Sequence, residues 1–195
     1  MKNPLNYQLT EYDCGPTSVL NAISFLFERE EIPPEIVRNT VLYCLDRYDS
    51  EGDQGKSGTS CMAMMYLSNW LNDFGQTKKL AVSSRYISGE SVNLDQNGQL
   101  LNAVRSGGAA VVRLYYDVAH YVLMVGEQDG KILLFDPYYR TEAFPQKDII
   151  ITADRSTYYN RIVPLYYFDR ESQEIYALGK KAEREAVLIF REKDE

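Results

Sequence analysis

The hydrophobic pattern of this chain changes period once, near the Gly107-Gly108 step, and that change restricts the fold more than any other feature. Before it, apolar residues recur at helical spacing. Over residues 17–28, Val19, Leu20, Ile23, Leu26 and Phe27 fall on one face at i, i+3, i+4 and i+7. Pro16 suits a first helical position, where a missing N–H costs nothing. The stretch EIPPEIVRNTVLYCLDRYD reads as a second helix opened by Pro33-Pro34, with Ile36, Val37, Val41 and Leu45 on one face. A third helix is expected over 60–74, carrying Met62, Met65, Leu67, Trp70, Leu71 and Phe74, and a short fourth over 99–105. After the glycine pair, runs at 109–116, 120–127, 131–138 and 162–169 are rich in Val, Ile, Leu and Tyr and read as strands. Asp129-Gly130 is a turn signal between the second and third of them. A last strand at 184–192 is expected at a sheet edge, where its flanking charges discourage further pairing. Helices first and a mostly antiparallel sheet afterwards define an α+β fold. With 195 residues, a single domain over 1–195 is expected, in which 150–195 extends the same sheet.

Several function classes are excluded early. A net charge of -7 argues against a nucleic-acid partner, which requires a clustered basic face. Cys14, Cys44 and Cys61 form no CxxC and are odd in number, which argues against a disulfide framework or a zinc site. No cofactor or metal is expected. Cys44 and Cys61 fall inside helical patterns and read as buried structural thiols. The first ten residues, MKNPLNYQLT, contain no apolar signal core. No stretch reaches the ~20 apolar residues of a membrane span, so a cytoplasmic protein with reduced thiols is expected. The GKS of the polar loop at 50–59 is not a phosphate loop, because Ser50 stands where the first glycine of that motif belongs.

Cys14 lies at or just before a helix N-terminus, where unpaired N–H groups and the helix dipole stabilise an anion such as a thiolate. A small structural hydrophobe gains nothing from that place, although free cysteine often serves as one. His120 is the only histidine in the chain, so any thiol–imidazole chemistry must use it. It opens an apolar strand far downstream, and spatial rather than sequential adjacency is usual for a cysteine nucleophile and its base. The alternative is a core histidine with satisfied nitrogens. Asp136 ends the next strand in LLFDPYY and could orient the imidazole, although Asp-Pro is also a common turn opener. Gln8, six residues before Cys14, could pair its side-chain amide with the Cys14 N–H as an oxyanion hole, or could be an exposed loop residue.

One geometric condition must hold. With a two-residue turn at Asp129-Gly130 and regular pairing, Asp136 falls opposite Leu123, on the sheet face away from His120. The two meet only if the turn is longer, the strand ends are irregular, or Gly126 marks a bulge. A bulge or an irregular end is therefore expected.

Together, Q-L-T-E-Y-D-C-G-P-T-S, H-Y-V-L-M-V and L-L-F-D-P resemble the bacteriocin-processing cysteine peptidases, papain-like enzymes that cut double-glycine leader peptides. Gln8, Asp13, Cys14 and Gly15 match the family's first motif, and His120, Asp136 and Pro137 match the later ones, so the resemblance spans residues 7–138. It implies a papain-like fold and a peptide or protein substrate. It also implies Cys14 as nucleophile, His120 as general base and acid, Asp136 as orienter and Gln8 as oxyanion donor. The glycine-rich loop at 50–59 and the strands beyond 150 are expected as additions to the minimal domain. No transporter follows in this sequence, so cleavage coupled to export is not carried over. Two classes of function remain open. One is a cysteine peptidase, with an acyl or peptidyl transferase as its close variant. The other is a non-catalytic peptide-binding module gripping an extended segment with Tyr115, Tyr116 and Tyr138.

Overall fold

Asp13 opens the first helix, α1 (Cys14–Leu26), without bonding to the helix N–H groups. Its carboxylate instead accepts from the N–H of Leu9 and Thr10 and from the hydroxyls of Thr10 and Thr17, which curls residues 9–13 against the helix start. The helix begins three residues before the periodic stretch, so Cys14 is itself helical. Pro16 then takes the third position rather than the first, which is tolerated because the first four N–H groups lack helical partners. The computed structural model describes residues 1–153 and 156–192.

Helix α2 (Pro34–Cys44) is shorter than its sequence pattern, and its buried stripe is Ile36, Thr40 and Cys44. Val37 and Val41, expected on the face of Ile36, are each 48% exposed, and Leu45 lies past the helix end. The contact of α2 is one i, i+4 row wide, too narrow to cover them. Helix α3 (Cys61–Gln76) is capped by the Ser60 hydroxyl on the Ala63 N–H. It buries Met64 in place of the expected Met62, which is exposed. Cys61 is the first residue of α3 and exposed, contrary to the buried position expected of it, because the cap turns that side chain outward. A short α4 (Gln99–Arg105) lies where expected.

Among the described residues the sheet holds seven antiparallel strands in the order β1-β7-β2-β3-β4-β6-β5. They are β1 (Val82–Ser88), β2 (Ala109–Tyr116), β3 (Val118–Gln128), β4 (Lys131–Phe135), β5 (Ile150–Ile151), β6 (Arg161–Pro164) and β7 (Glu185–Arg191). The sequence pattern did not reveal β1, whose VSSRYIS is too polar to read as a core strand. Its buried Ser84 is satisfied by Ser68 and Asn72 of α3. Because β7 pairs with β1 on one side and β2 on the other, β7 is interior and not the edge strand expected. The run at 162–169 stops as a strand at Pro164 and turns into a 3-10 turn over Leu165–Tyr167.

Both faces of the sheet are covered. One cluster joins Val19, Ile23, Met64 and Leu71 of α1 and α3 to Val111, Leu123 and Phe135. The other joins Leu100 and Leu101 of α4 to Leu114, Val122, Phe168 and Tyr176. Burial on both sides explains why β2 and β3 read as continuous apolar runs instead of alternating. Strands β5, β6 and β7 all belong to this sheet. Among the described residues, no helix is long and apolar enough to cross a membrane.

The register of β3 against β4 decides the site. Gln128, Glu127 and Gly126 face Lys131, Ile132 and Leu133, and then the register slips so that Met124 faces Leu134 and Leu123 faces Phe135. Val125 is the extra residue of a bulge beside Gly126. Continued one step, the slipped register sets Asp136 across from Val122, which shares its strand face with His120. The parity conflict in the sequence is resolved by the bulge it called for.

Helix α3 carries the loop before it and meets β1 at Gly75, where an added Cβ would lie 2.0 Å from the Val82 carbonyl oxygen. Helix propensity alone favours Gly75→Ala by about 1 kcal/mol, but the clash should dominate and destabilise the protein by about 1–3 kcal/mol. The urea midpoint of the variant checks this; an unchanged or raised midpoint contradicts the contact.

Candidate active site

Cys14 is the first residue of α1 and 8% exposed. His120 is the third residue of β3, and Asp136 follows the last residue of β4. His120 Nε2 lies 2.8 Å from Asp136 Oδ1. The Cys14 thiol is a neighbour of the same ring, near enough to favour its charged form. With Nε2 held by the carboxylate, Nδ1 is the nitrogen left for the thiol. The Tyr116 ring packs against the imidazole at a centroid distance of 5.8 Å. The structure thus brings three of the four residues singled out in the sequence together.

Asp136 has no exposed surface, and every polar atom of it is engaged. Oδ1 accepts from the Tyr138 N–H at 2.9 Å in addition to His120. Oδ2 accepts from the Tyr176 hydroxyl at 2.9 Å. Asn160 fixes the backbone on both sides, accepting from the Asp136 N–H and donating to its carbonyl, each at 2.8 Å. Burial pushes the Asp136 carboxyl up. The His120 charge and hydrogen bond, the Arg161 charge and the Tyr138 N–H outweigh burial and hold it below the usual carboxylate range. Burial likewise disfavours a charged His120. The Asp136 charge and hydrogen bond, with the Cys14 thiol, overcome that and raise the imidazole to about 10. The two shifts agree on an imidazolium–carboxylate pair at neutral pH.

Gln8 is tied to the same corner by its backbone N–H, which donates to the Pro137 carbonyl at 2.9 Å. Its side-chain Nε2 donates to the Thr10 carbonyl at 2.7 Å, and its Oε1 is buried with no hydrogen-bond partner. An amide nitrogen carries two hydrogens, so one remains beyond the bond to Thr10.

Beside Cys14 runs a cleft of about 460 Å³, lined among others by Gly58, Thr59, Ala119, Tyr121, Arg47 and Arg113. The end of the glycine-rich loop therefore borders the cysteine. Thr59 lies so close to α1 that a Cβ on Gly15 would sit 2.3 Å from its Oγ1 and 2.8 Å from its Cβ, which accounts for glycine directly after Cys14. A larger recess of about 1020 Å³ between α3 and β1 contains none of the four residues.

Sequence reasoning missed Asn160, Arg161 and Tyr176, which surround Asp136 from beyond residue 150. They lie on no periodic face and in no motif, so nothing local marks them. It also missed Tyr121, whose hydroxyl donates to the buried Glu185 at 2.8 Å in the cleft wall. Burial drives the Cys44 thiol up to about 12, consistent with a structural role. In the loop, Asp49, Glu51 and Asp53 approach closely enough to share a cation, but Asp49 already receives the Glu51 and Asp53 N–H groups and Asp53 pairs with Lys56.

No protein-family model matches the sequence, and no curated protein matches it. Solved structures do show similarity. One is a double glycine motif protease from an AMS/PCAT transporter in complex with its leader peptide, at 10% identity and TM-score 0.47, covering 96% of this chain and 89% of that one. A second is the peptidase domain of Streptococcus ComA, a bifunctional ABC transporter of a quorum-sensing pathway, at 16% identity and TM-score 0.48, covering 95% and 96%. A third is the peptidase domain of Streptococcus mutans ComA, at 14% identity and TM-score 0.41, covering 96% and 98%.

Because the folded His120 is raised above its unfolded value of ~6.5, its pairing contributes stability fully below that pH and loses it as pH climbs through about 10. The single imidazole needs no assignment in an NMR spectrum. Its ring signals should stay those of an imidazolium through neutrality and titrate near the raised value. In Asp136→Asn the ring should titrate below neutrality, because burial is then unopposed by the carboxylate. A wild-type ring titrating near 6.5 contradicts the pair.

Proposed function

We propose that this protein is a papain-like cysteine peptidase that cleaves a peptide or amide bond through Cys14, His120 and Asp136, with Gln8 completing the oxyanion hole. The observation that carries the reading is the meeting of a helix-opening cysteine with the chain's only histidine, whose far nitrogen is held at 2.8 Å by a fully buried carboxylate. A nucleophile, a base and an orienter in sequence are what thiol acyl transfer requires. The match of the Gln8, Cys14, His120 and Asp136 motifs to the bacteriocin-processing peptidases supports the same assignment.

The chemistry follows from the charges. At rest the proton shared by Cys14 and His120 lies on the imidazole, which Asp136 holds as an imidazolium, and a thiolate stands at the N-terminus of α1. An extended peptide enters the cleft between Gly58-Thr59 and the start of β3, and the thiolate attacks its carbonyl carbon. The oxyanion is received by the Cys14 N–H and by the Gln8 amide hydrogen not used on Thr10. As the tetrahedral adduct collapses, His120 gives its proton to the leaving amine. The neutral imidazole then takes a proton from water, hydroxide attacks the thioester, and the acid and the Cys14 thiolate–imidazolium pair are released. An amine in place of water would make the same enzyme a transferase.

Cys14→Ser should abolish turnover of a cleaved peptide followed by mass spectrometry; full activity in that variant rules the mechanism out. Iodoacetamide should alkylate Cys14 rapidly already near pH ~6, as a thiolate held by an imidazolium does, and His120→Ala should lose that reactivity. Slow alkylation in both proteins, rising only near the ordinary thiol value of ~8.5, would favour the peptide-binding module. Gln8→Ala should cost about 10²–10³ in kcat if its amide serves the oxyanion, and a loss below about tenfold would remove Gln8 from that role.

A further inference from the structure

Asp136 depends on residues that lie beyond the span of the motif resemblance. Tyr176 has no exposed surface, and its hydroxyl donates to Asp136 Oδ2 at 2.9 Å. Its φ of +58° is in the left-handed region, which a bulky side chain rarely occupies. Two backbone bonds to the end of β2 hold it there, Tyr176 N–H to the Tyr115 carbonyl at 2.8 Å and Tyr115 N–H to the Ala177 carbonyl at 2.9 Å. The ring is wedged among Tyr116, Phe144 and Phe168. The backbone is thus held in an unfavourable conformation that delivers a phenol to the carboxylate. Burial, with the charge of Asp136, pushes that phenol well above its usual range, so it is a neutral donor at every working pH.

Arg161 is equally unusual. It is 1% exposed, and its Nη atoms donate to the carbonyls of Asn160 at 2.9 Å and Tyr138 at 3.3 Å. Its Nε has no partner, and no ion pair to a carboxylate engages it among the described residues. A fully buried guanidinium without a carboxylate in contact is rare, because buried charges are normally paired. The nearby charge it acts on is Asp136, reached through Tyr138, whose carbonyl accepts from Arg161 and whose N–H donates to Asp136 Oδ1.

We propose that Tyr176 and Arg161 are positioning residues of the active site, holding Asp136 ionised and turned toward His120, so that the region beyond residue 150 is required for the chemistry as well as for the sheet. The proposal rests on the cysteine-peptidase reading for its catalytic consequence, and on the observed contacts alone for the state of Asp136. The groups facing the carboxylate are His120 on β3, Tyr116 on β2, Arg161 on β6 and Tyr176, with Cys14 of α1 beyond the imidazole. A donor and a positive charge both favour the ionised carboxyl. Removing either therefore raises the pH at which Asp136 takes a proton, and the pair with His120 breaks earlier as pH falls.

The test uses the full chain as wild type, Tyr176→Phe and Arg161→Gln, the last removing the charge while keeping a polar side chain. The His120 ring is followed by NMR from neutral to acid, and Cys14 alkylation by iodoacetamide over the same range. The acid-side inflection of the ring should rise in each variant, by about one pH unit in Tyr176→Phe, the shift that loss of one hydrogen bond to a charged group produces. The acid limb of alkylation should rise with it. A merely structural role lowers the melting temperature and leaves the inflection where it was, which would overturn the proposal. If Tyr176→Phe does not fold, Arg161→Gln carries the same test. If the inflection shifts while wild-type Cys14 reacts as an ordinary thiol, the peptidase reading fails and the positioning of Asp136 stands. If wild-type Cys14 reacts rapidly at low pH and neither variant moves the inflection, the peptidase reading stands and this proposal fails.

Discussion

The Asp136 carboxylate is the constraint on which the site depends. It is wholly out of water, and a buried charge is tolerated only when paired and fully hydrogen-bonded. His120 supplies the countercharge, the Tyr138 N–H adds a second donor to Oδ1, the Tyr176 hydroxyl donates to Oδ2, and Asn160 pins the backbone on either side. These partners come from β3, from the turn after β4, from the residue before β6 and from the segment after it. The carboxylate therefore ties together parts of the chain that share no local contact. His120 is charged because that carboxylate is there, and the carboxylate is ionised in turn because of His120, Arg161 and Tyr138.

The sheet solves a delivery problem around this pair. Cys14 belongs to the cluster under α1 and α3, whereas Tyr176 belongs to the cluster on the opposite face. His120 faces Leu114 across the β2–β3 ladder, and Leu114 lies in the second cluster. The two sides can meet only at a strand end, where no further sheet separates them. The tight β2–β3 turn, with Asp117 at φ +61°, ends the sheet just beyond His120 and lets the start of α1 come within reach of the ring. The bulge at Val125-Gly126 then carries Asp136 onto the face of His120. Without that extra residue, the chain order of the motif would be correct and the chemistry impossible.

What was legible in the sequence follows from this architecture. Positions 14, 120 and 136 could be singled out because each lies near the boundary of an element, where polar chemistry interrupts an apolar pattern, and position 8 by its place six residues before Cys14. The bulge was legible as a contradiction between strand parity and the proposed pair, with Gly126 as the place to relieve it. Strand β1 was not legible because two of its buried or half-buried positions are serines satisfied across the interface by α3 and by Glu192 rather than by apolar packing. Overlooking β1 left β7 as an apparent edge. Val37 and Val41 misled because apolar periodicity reports which face could be buried, and α2 buries only a narrow row. Asn160, Arg161 and Tyr176 were invisible for a different reason: each is defined by long-range polar contacts, and such contacts leave no period and no spacing.

The exceptions to good packing are not scattered. Buried polar side chains in folded proteins are almost always hydrogen-bonded, and among the described residues the ones left without a partner are on Gln8, Thr40, Thr59, Arg161 and Arg184. Three of these border the site: Gln8 is bonded through its backbone to Pro137, Thr59 lines the cleft beside Cys14, and Arg161 reaches Asp136 through Tyr138. Tyr176 adds a left-handed backbone in the same place. The unpaired buried charge of Arg161 could be removed by an apolar substitution that improves local stability. That change would strip Asp136 of its neighbouring charge. Local rules are broken here in the region where the chemistry is proposed, which is where a fold shaped by function, and not by stability alone, concentrates its conflicts.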